Sequence, residues 1–311
     1  MYNFRTDLVD ERNEIYKKAN KLENDIDGLE TEKQEISDKI AVTRVKITNE
    51  NAEQAIGKRI GNYITMDIKK LNIITEEELN KASETLANEI KSLIEGKINT
   101  KDDILVVGLG NEEVTPDALG PNVIKDIEVT RHIIKYLPQY IDENARPVSA
   151  IAPGVLGTTG IETLEIIKGV VDNVKPKLLI VIDALASRSM ERISSTIQIS
   201  DTGIVPGAGV GNTRKEISEN TLGIPVIALG IPTVVETAVV VNDALDIFIE
   251  KLQEEAKSND YLNELRQEDN CEQIKEALVP KDFNFIVTPK EIDELIANMS
   301  SLVAKGINLS V

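Results

Sequence analysis

Four short apolar runs limit what this chain can fold into. DILVVGLGN (103–111), VSAIAPG (148–154), KLLIVIDA (177–184) and IPVIALGIP (224–232) are rich in β-branched residues and stop at Gly, Pro or Asp. Runs apolar on both faces are what parallel strands need when helices cover the sheet on each side. Stretches of helical character at 117–136, 161–174 and 233–256 lie between or beside them. The pattern predicts an α/β fold with a central, mostly parallel sheet, flanking helices and right-handed crossovers. STIQIS, ending at Ser200, adds a further strand.

The chain before residue 100 reads as a peripheral region. AVTRVKIT (41–48) and NYITMDI (62–68) predict strands, and residues 74–96 predict a helix, with Thr75 as cap, Glu78 three residues on and Gly96 as stop. Leu8, Ile15, Leu22, Leu29 and Ile36 recur every seven residues. This spacing predicts an amphipathic helix over Leu8–Ile40, lying on the body or pairing as a coiled coil, with Gly28 as an interruption. Residues 259–311 predict two helices separated by FNFIVTP.

Composition removes several function classes. A formal charge of −18 from 35 Lys and Arg against 53 Asp and Glu repels nucleic acid. One Cys and one His leave no disulfide, no Cys-rich zinc site and no two-imidazole metal site. No apolar run is long enough to span a bilayer as a helix, and MYNFRTDLVDERNE does not read as a secretory signal, so a cytoplasmic, reducing compartment is expected.

In an open parallel sheet, functional groups gather beyond the carboxyl ends of the strands. Asp117 follows the first core run and Asp183 ends the third. If those strands are neighbours, both carboxylates sit over one sheet edge. Two such groups can divide acid and base work, since like charges that close do not both ionise cheaply. Other readings exist for each. Thr115-Pro116-Asp117 also suits a helix start with a Thr cap, and Asp183 could bond a turn or hold a ribose hydroxyl. The GLGN loop (108–111) leaves open a nucleotide- or dinucleotide-binding alternative, although the full Gly-x-Gly-x-x-Gly is missing. Asp201-Thr202-Gly203 matches the tripeptide of pepsin-like proteases, but that fold is all-β; Asp201 reads as a turn residue, with a place in the site left open. His132 is expected to be a partly buried structural residue within a helix. Cys271, in a polar stretch, reads as an incidental thiol.

The chain resembles the germination proteases of spore-forming Firmicutes. The resemblance rests on FRTDLVDE (4–11), TRVKI (43–47), GLGNEEVTPDALGP (108–121), RPVSAIAPGVLGTTGIET (146–163), IDALASRSMERISSTIQISDTGIVPGAGVGN (182–212) and IPVIALGIPTVVET (224–237), in order along the chain. It implies a fold similar to that of hydrogenase maturation proteases. It also implies a zymogen endopeptidase that degrades small acid-soluble spore proteins at germination, assembles as a homotetramer and works in the forespore and spore core. Its proposed catalytic pair falls on Asp117 and Asp183. Self-removal of a short N-terminal segment would cut between Asp7 and Leu8. No cofactor, metal, nucleic-acid or membrane partner is expected. The organisation expected is a propeptide over 1–7 and one α/β peptidase domain over 8–311. Within it, 8–100 is peripheral, 101–258 forms the core sheet and 259–311 the C-terminal helices.

Overall fold

A computed structural model describes residues 8–20, 26–69, 71, 74–207, 214–255, 274 and 285–311. Among them nine strands form one sheet. These are β1 (Leu29–Glu35), β2 (Ile40–Ile47), β3 (Gly61–Ile68), β4 (Ile104–Gly108), β5 (Val148–Ile151), β6 (Leu178–Ser187), β7 (Thr196–Ser200), β8 (Val226–Glu236) and β9 (Ile286–Val287). The spatial order is β1-β2-β3-β7-β8-β6-β4-β5, with β9 pairing the far end of β8. The described helices are α1 (Val9–Asn20), α2 (Glu50–Ile56), α3 (Glu76–Ile94), α4 (Leu119–Lys125), α5 (Arg131–Tyr136), α6 (Leu156–Thr159), α7 (Thr163–Val174), α8 (Glu219–Leu222), α9 (Thr237–Glu255) and α10 (Ile292–Ser310).

All four predicted core runs are strands, and pairing is parallel across β5-β4-β6-β8. From β8 outward through β7, β3, β2 and β1 every pair is antiparallel, so the sheet is mixed rather than mostly parallel. Local geometry gives one reason: only residues 36–39 join β1 to β2, too few for the crossover that parallel pairing requires. The N-terminal strands are thus the outer strands of the same sheet.

Side-chain alternation divides the core between two faces. On one face, Val106, Ile180, Ile182, Ile199 and Leu229 pack with Leu86 and Ile90 of α3 (Glu76–Ile94) and Met299 and Val303 of α10 (Ile292–Ser310). On the other, Leu105, Val107, Leu179 and Val181 pack with Ile167 and Val171 of α7 (Thr163–Val174). The predicted helix over 74–96 is α3, and it lies in the main core rather than at its periphery. Its start is a capping box: the Glu78 N–H donates to Thr75 Oγ1 at 3.3 Å, and the Thr75 N–H donates to Glu78 Oε2 at 2.9 Å.

Three expectations change. The seven-residue stripe over Leu8–Ile40 is not one helix: α1 (Val9–Asn20) is helical, whereas Leu29 opens β1. Gly28 takes a positive φ of 84° in the turn between them, and β1 is drawn into extended form by its ladder to β2. The stretch 117–136 is two short helices, α4 (Leu119–Lys125) and α5 (Arg131–Tyr136). His132, expected to be partly buried, is exposed, because α5 buries none of its residues. The second C-terminal helix is α10; most of the first, including Cys271, lies outside the described residues, as does the predicted propeptide. No described helix is long and apolar enough to cross a membrane.

Replacing Thr75 by Ala should cost about 1 kcal/mol of stability through loss of the cap. Urea denaturation of Thr75→Ala against the parent chain, with an unchanged slope, checks it.

Candidate active site

The site begins where one strand stops and its neighbour continues. β4 ends at Gly108, opposite Ile182 of β6, and the Leu109 N–H donates to the Ile182 carbonyl at 2.8 Å. β6 runs on to Ser187. Asp183 is therefore its first residue beyond the last β4 pair. Alternation puts it on the face of Leu179 and Val181, and only 5% of its surface is exposed.

The chain leaving β4 folds back as a single 3-10 turn, Thr115–Asp117, followed by α4. Pro116 suits that first turn, but Val114 occupies the cap position, so Thr115 does not cap. Two backbone crossings hold the turn against the strand end. A Cβ on Gly108 would lie 2.2 Å from the Gly120 carbonyl oxygen, and one on Gly110 would lie 2.0 Å from that of Asp117. Gly110 also has φ +119°, which side-chain-bearing residues rarely adopt. The Asn111 N–H then donates to Asp117 Oδ2 at 2.8 Å.

These contacts, with β4 and β6 as parallel neighbours, bring Asp117 and Asp183 to one cavity of about 510 Å³. Burial pushes the Asp117 carboxyl above the ordinary aspartate range, and the Asn111 N–H offsets only part of that. The same geometry bears on the GLGN loop as an anion cradle. Of its amides, that of Leu109 is engaged with Ile182 and that of Asn111 with Asp117. A carboxylate stands where a phosphate would have to bind.

Asp201 does not line this cavity. It follows β7, which runs antiparallel to β8, so it emerges toward the other end of the sheet. Its burial favours protonation, but the Asn62 N–H, the Lys97 ammonium at 2.9 Å and the Asn62 side chain outweigh that and lower its pKa. Leu8 is fully buried but is not a lining residue, and Asp7 lies outside the described residues. Among the described residues no three His, Cys, Asp or Glu side chains converge as a metal-holding group.

Sequence reasoning did not single out five polar residues in the lining: Glu162, Thr163, Thr233, Arg214 and Lys215. Arg214 Nη1 lies 3.8 Å from Glu162 Oε1, and Lys215 Nζ 3.3 Å from Glu165 Oε1. A signal for Thr233 was present. Pro232 interrupts an apolar strand run, and proline inside a strand marks an edge or a bulge. Arg214 and Lys215 carried no such mark, since only folding brings residues after 213 back over the strand ends.

The model of the germination protease family matches residues 6–265 and 259–311. The chain is 46% identical over 316 residues to the germination protease of Clostridium acetobutylicum, covering 100% of this chain and 96% of that one. It is 47% identical to that of Clostridium tetani, covering 99% and 95%, and 39% identical to that of Bacillus cereus, covering 100% and 94%. Among solved structures, the [NiFe] hydrogenase maturation protease HycI from Thermococcus kodakarensis KOD1 aligns at a TM-score of 0.30 and 17% identity, over 47% of this chain and 80% of that one.

Asp117 and Asp201, both half-buried, should respond oppositely to neutralisation. The folded-state pKa of Asp117 is raised, so its favourable contribution is complete below the unfolded value and is lost as pH rises through the folded one. Asp117→Asn should keep or raise the melting temperature at neutral pH. The Asp201 value is depressed, so its contribution is present above the unfolded value and is lost as pH falls through the folded one. Asp201→Asn should cost about 1 kcal/mol near neutrality, through loss of the charged partner of the solvent-accessible Lys97. Thermal melts of both variants across acid and neutral pH check the signs.

Proposed function

The chain belongs to the germination protease family, and from that premise we propose that it is a zymogen endopeptidase whose paired aspartates activate water against the amide bonds of small acid-soluble spore proteins. The observation that carries this reading is the meeting of Asp117 and Asp183 in one cavity beyond the strand ends. Asp183 serves as the base and takes a proton from a water as the water's oxygen attacks the scissile carbonyl carbon. Asp117, whose pKa burial raises, serves as the acid and gives a proton to the carbonyl oxygen. As the C–N bond breaks, the proton on Asp183 passes to the leaving nitrogen, and the product acid returns one to Asp117. Activity then falls as pH rises through the elevated Asp117 value, because the acid is lost.

Latency is assigned to residues 1–7, removed by cleavage between Asp7 and Leu8. The start of the described chain is tied down. Leu8 and Val9 are fully buried. Asp10 accepts from Arg192 at 2.7 Å, and Arg192 lies in the connection that leaves β6 after Asp183. Self-processing therefore requires Leu8 to leave its packing before the bond can reach the aspartates. The working form is a homotetramer in the forespore and spore core, as in the family the chain resembles. Its charge of −18 would keep it off DNA, so that spore proteins are met after they leave the nucleic acid.

The test is intact mass before and after a shift to mildly acidic pH, with Asp183→Asn and Asp117→Asn alongside. The parent chain should lose residues 1–7. Each variant should retain them and cleave spore proteins at least about 100-fold more slowly, the usual scale for losing a positioned acid or base. Full activity in either variant would remove the pair from the mechanism.

A further inference from the structure

β8 carries an irregularity that the mechanism above does not use. It pairs with β6 one for one from Val226 to Pro232, where Pro232 faces Leu185. The next β6 residue, Ala186, faces Val234 rather than Thr233. Thr233 is thus the extra residue of a β-bulge, a feature that redirects a side chain and recurs beside active sites. Neighbouring contacts fix its backbone. The Pro232 carbonyl accepts from the Ser194 N–H at 2.6 Å, and the Thr233 carbonyl accepts from Thr288 Oγ1 at 2.9 Å.

The residue is 1% exposed, yet it lines the cavity that holds Asp117 and Asp183. Its hydroxyl has no hydrogen-bond partner among the described residues. A hydroxyl without a partner in the protein, on a residue that lines a cavity, is available to whatever enters. Its position suits a peptide. Asp183 stands in register with Gly230 on β8, and Thr233 lies three residues further toward the same mouth. The β6 wall beyond Asp183 is apolar, formed by Ala184, Leu185 and Ala186. A peptide laid there loses water from its carbonyls and needs a donor to replace it.

We propose that Thr233 is a substrate-binding residue whose hydroxyl donates a hydrogen bond to a main-chain carbonyl of the peptide held beside the aspartates. This rests on the peptidase reading given above.

The experiment compares cleavage of the octapeptide FRTDLVDE, a copy of residues 4–11, by the self-processed parent chain, Thr233→Val and Thr233→Ser. Valine keeps the shape and removes the hydroxyl, and should lower kcat/KM about ten-fold, the scale for losing one such bond. Serine keeps the donor and should stay within about two- to three-fold of the parent, well inside the loss for one bond. Melting temperature separates binding from support. Thr233→Val should melt no lower than the parent, since no hydrogen bond within the protein is lost. Unchanged kcat/KM in Thr233→Val would overturn the proposal, as would a melting temperature that falls together with activity. An intact octapeptide in the presence of the parent chain would overturn the peptidase reading and this proposal with it. Cleavage retained by Asp183→Asn would overturn only the aspartate mechanism and leave the Thr233 comparison standing.

Discussion

Backbone meeting backbone at the end of β4 is the contact on which the site depends. At Gly108 and Gly110 the strand end and the turn at 117–120 approach more closely than any Cβ would permit. That approach lets the Asn111 amide reach the Asp117 carboxylate and places the carboxylate at the strand end. Glycine in such a loop is often linked to phosphate binding, because it frees backbone amides for an anion. Here part of that capacity is spent within the chain, on a carboxylate of its own. One sequence feature can serve either purpose, and what stands opposite the amides decides which.

The second constraint is a difference in strand length. β6 outlasts β4 by five residues, Asp183 to Ser187, and over that stretch it keeps β8 on one side only. A charged group within the paired apolar sheet would have no solvent and no partner. At the step between a short strand and a long one, it can remain nearly buried and still face a cavity. Asp183 sits at that step and Asp117 is folded over it. Burial at this place raises the Asp117 pKa.

Around this centre, the charges that resemble candidates have structural duties. Asp201 was read as a turn residue with a possible place in the site, and it serves as a clamp joining the end of β7 to Asn62 and Lys97. Its depressed pKa and the elevated one of Asp117 arise from opposite balances of the same two causes, desolvation and hydrogen bonding. His132 has no part at all, lying exposed on a short surface helix.

Local sequence is enough to read the parallel core strands, the capped helix at 76–94, Asp183 at a strand end and Asp117 in the turn that follows another. Each of these is written locally: continuous apolar runs, a Thr–Glu box, an acid where the apolar run stops. Tertiary structure decided the rest. A stripe of leucines and isoleucines from Leu8 to Ile40 has helical spacing, yet Leu29–Glu35 is extended because β2 offers a ladder that no local propensity encodes. The antiparallel half of the sheet, the distance of Asp201 from the cavity and the bulge that directs Thr233 into it all depend on which strands become neighbours. Strand neighbours are chosen by long-range backbone pairing and by how the two faces pack, and residues close together along the chain carry no record of that choice.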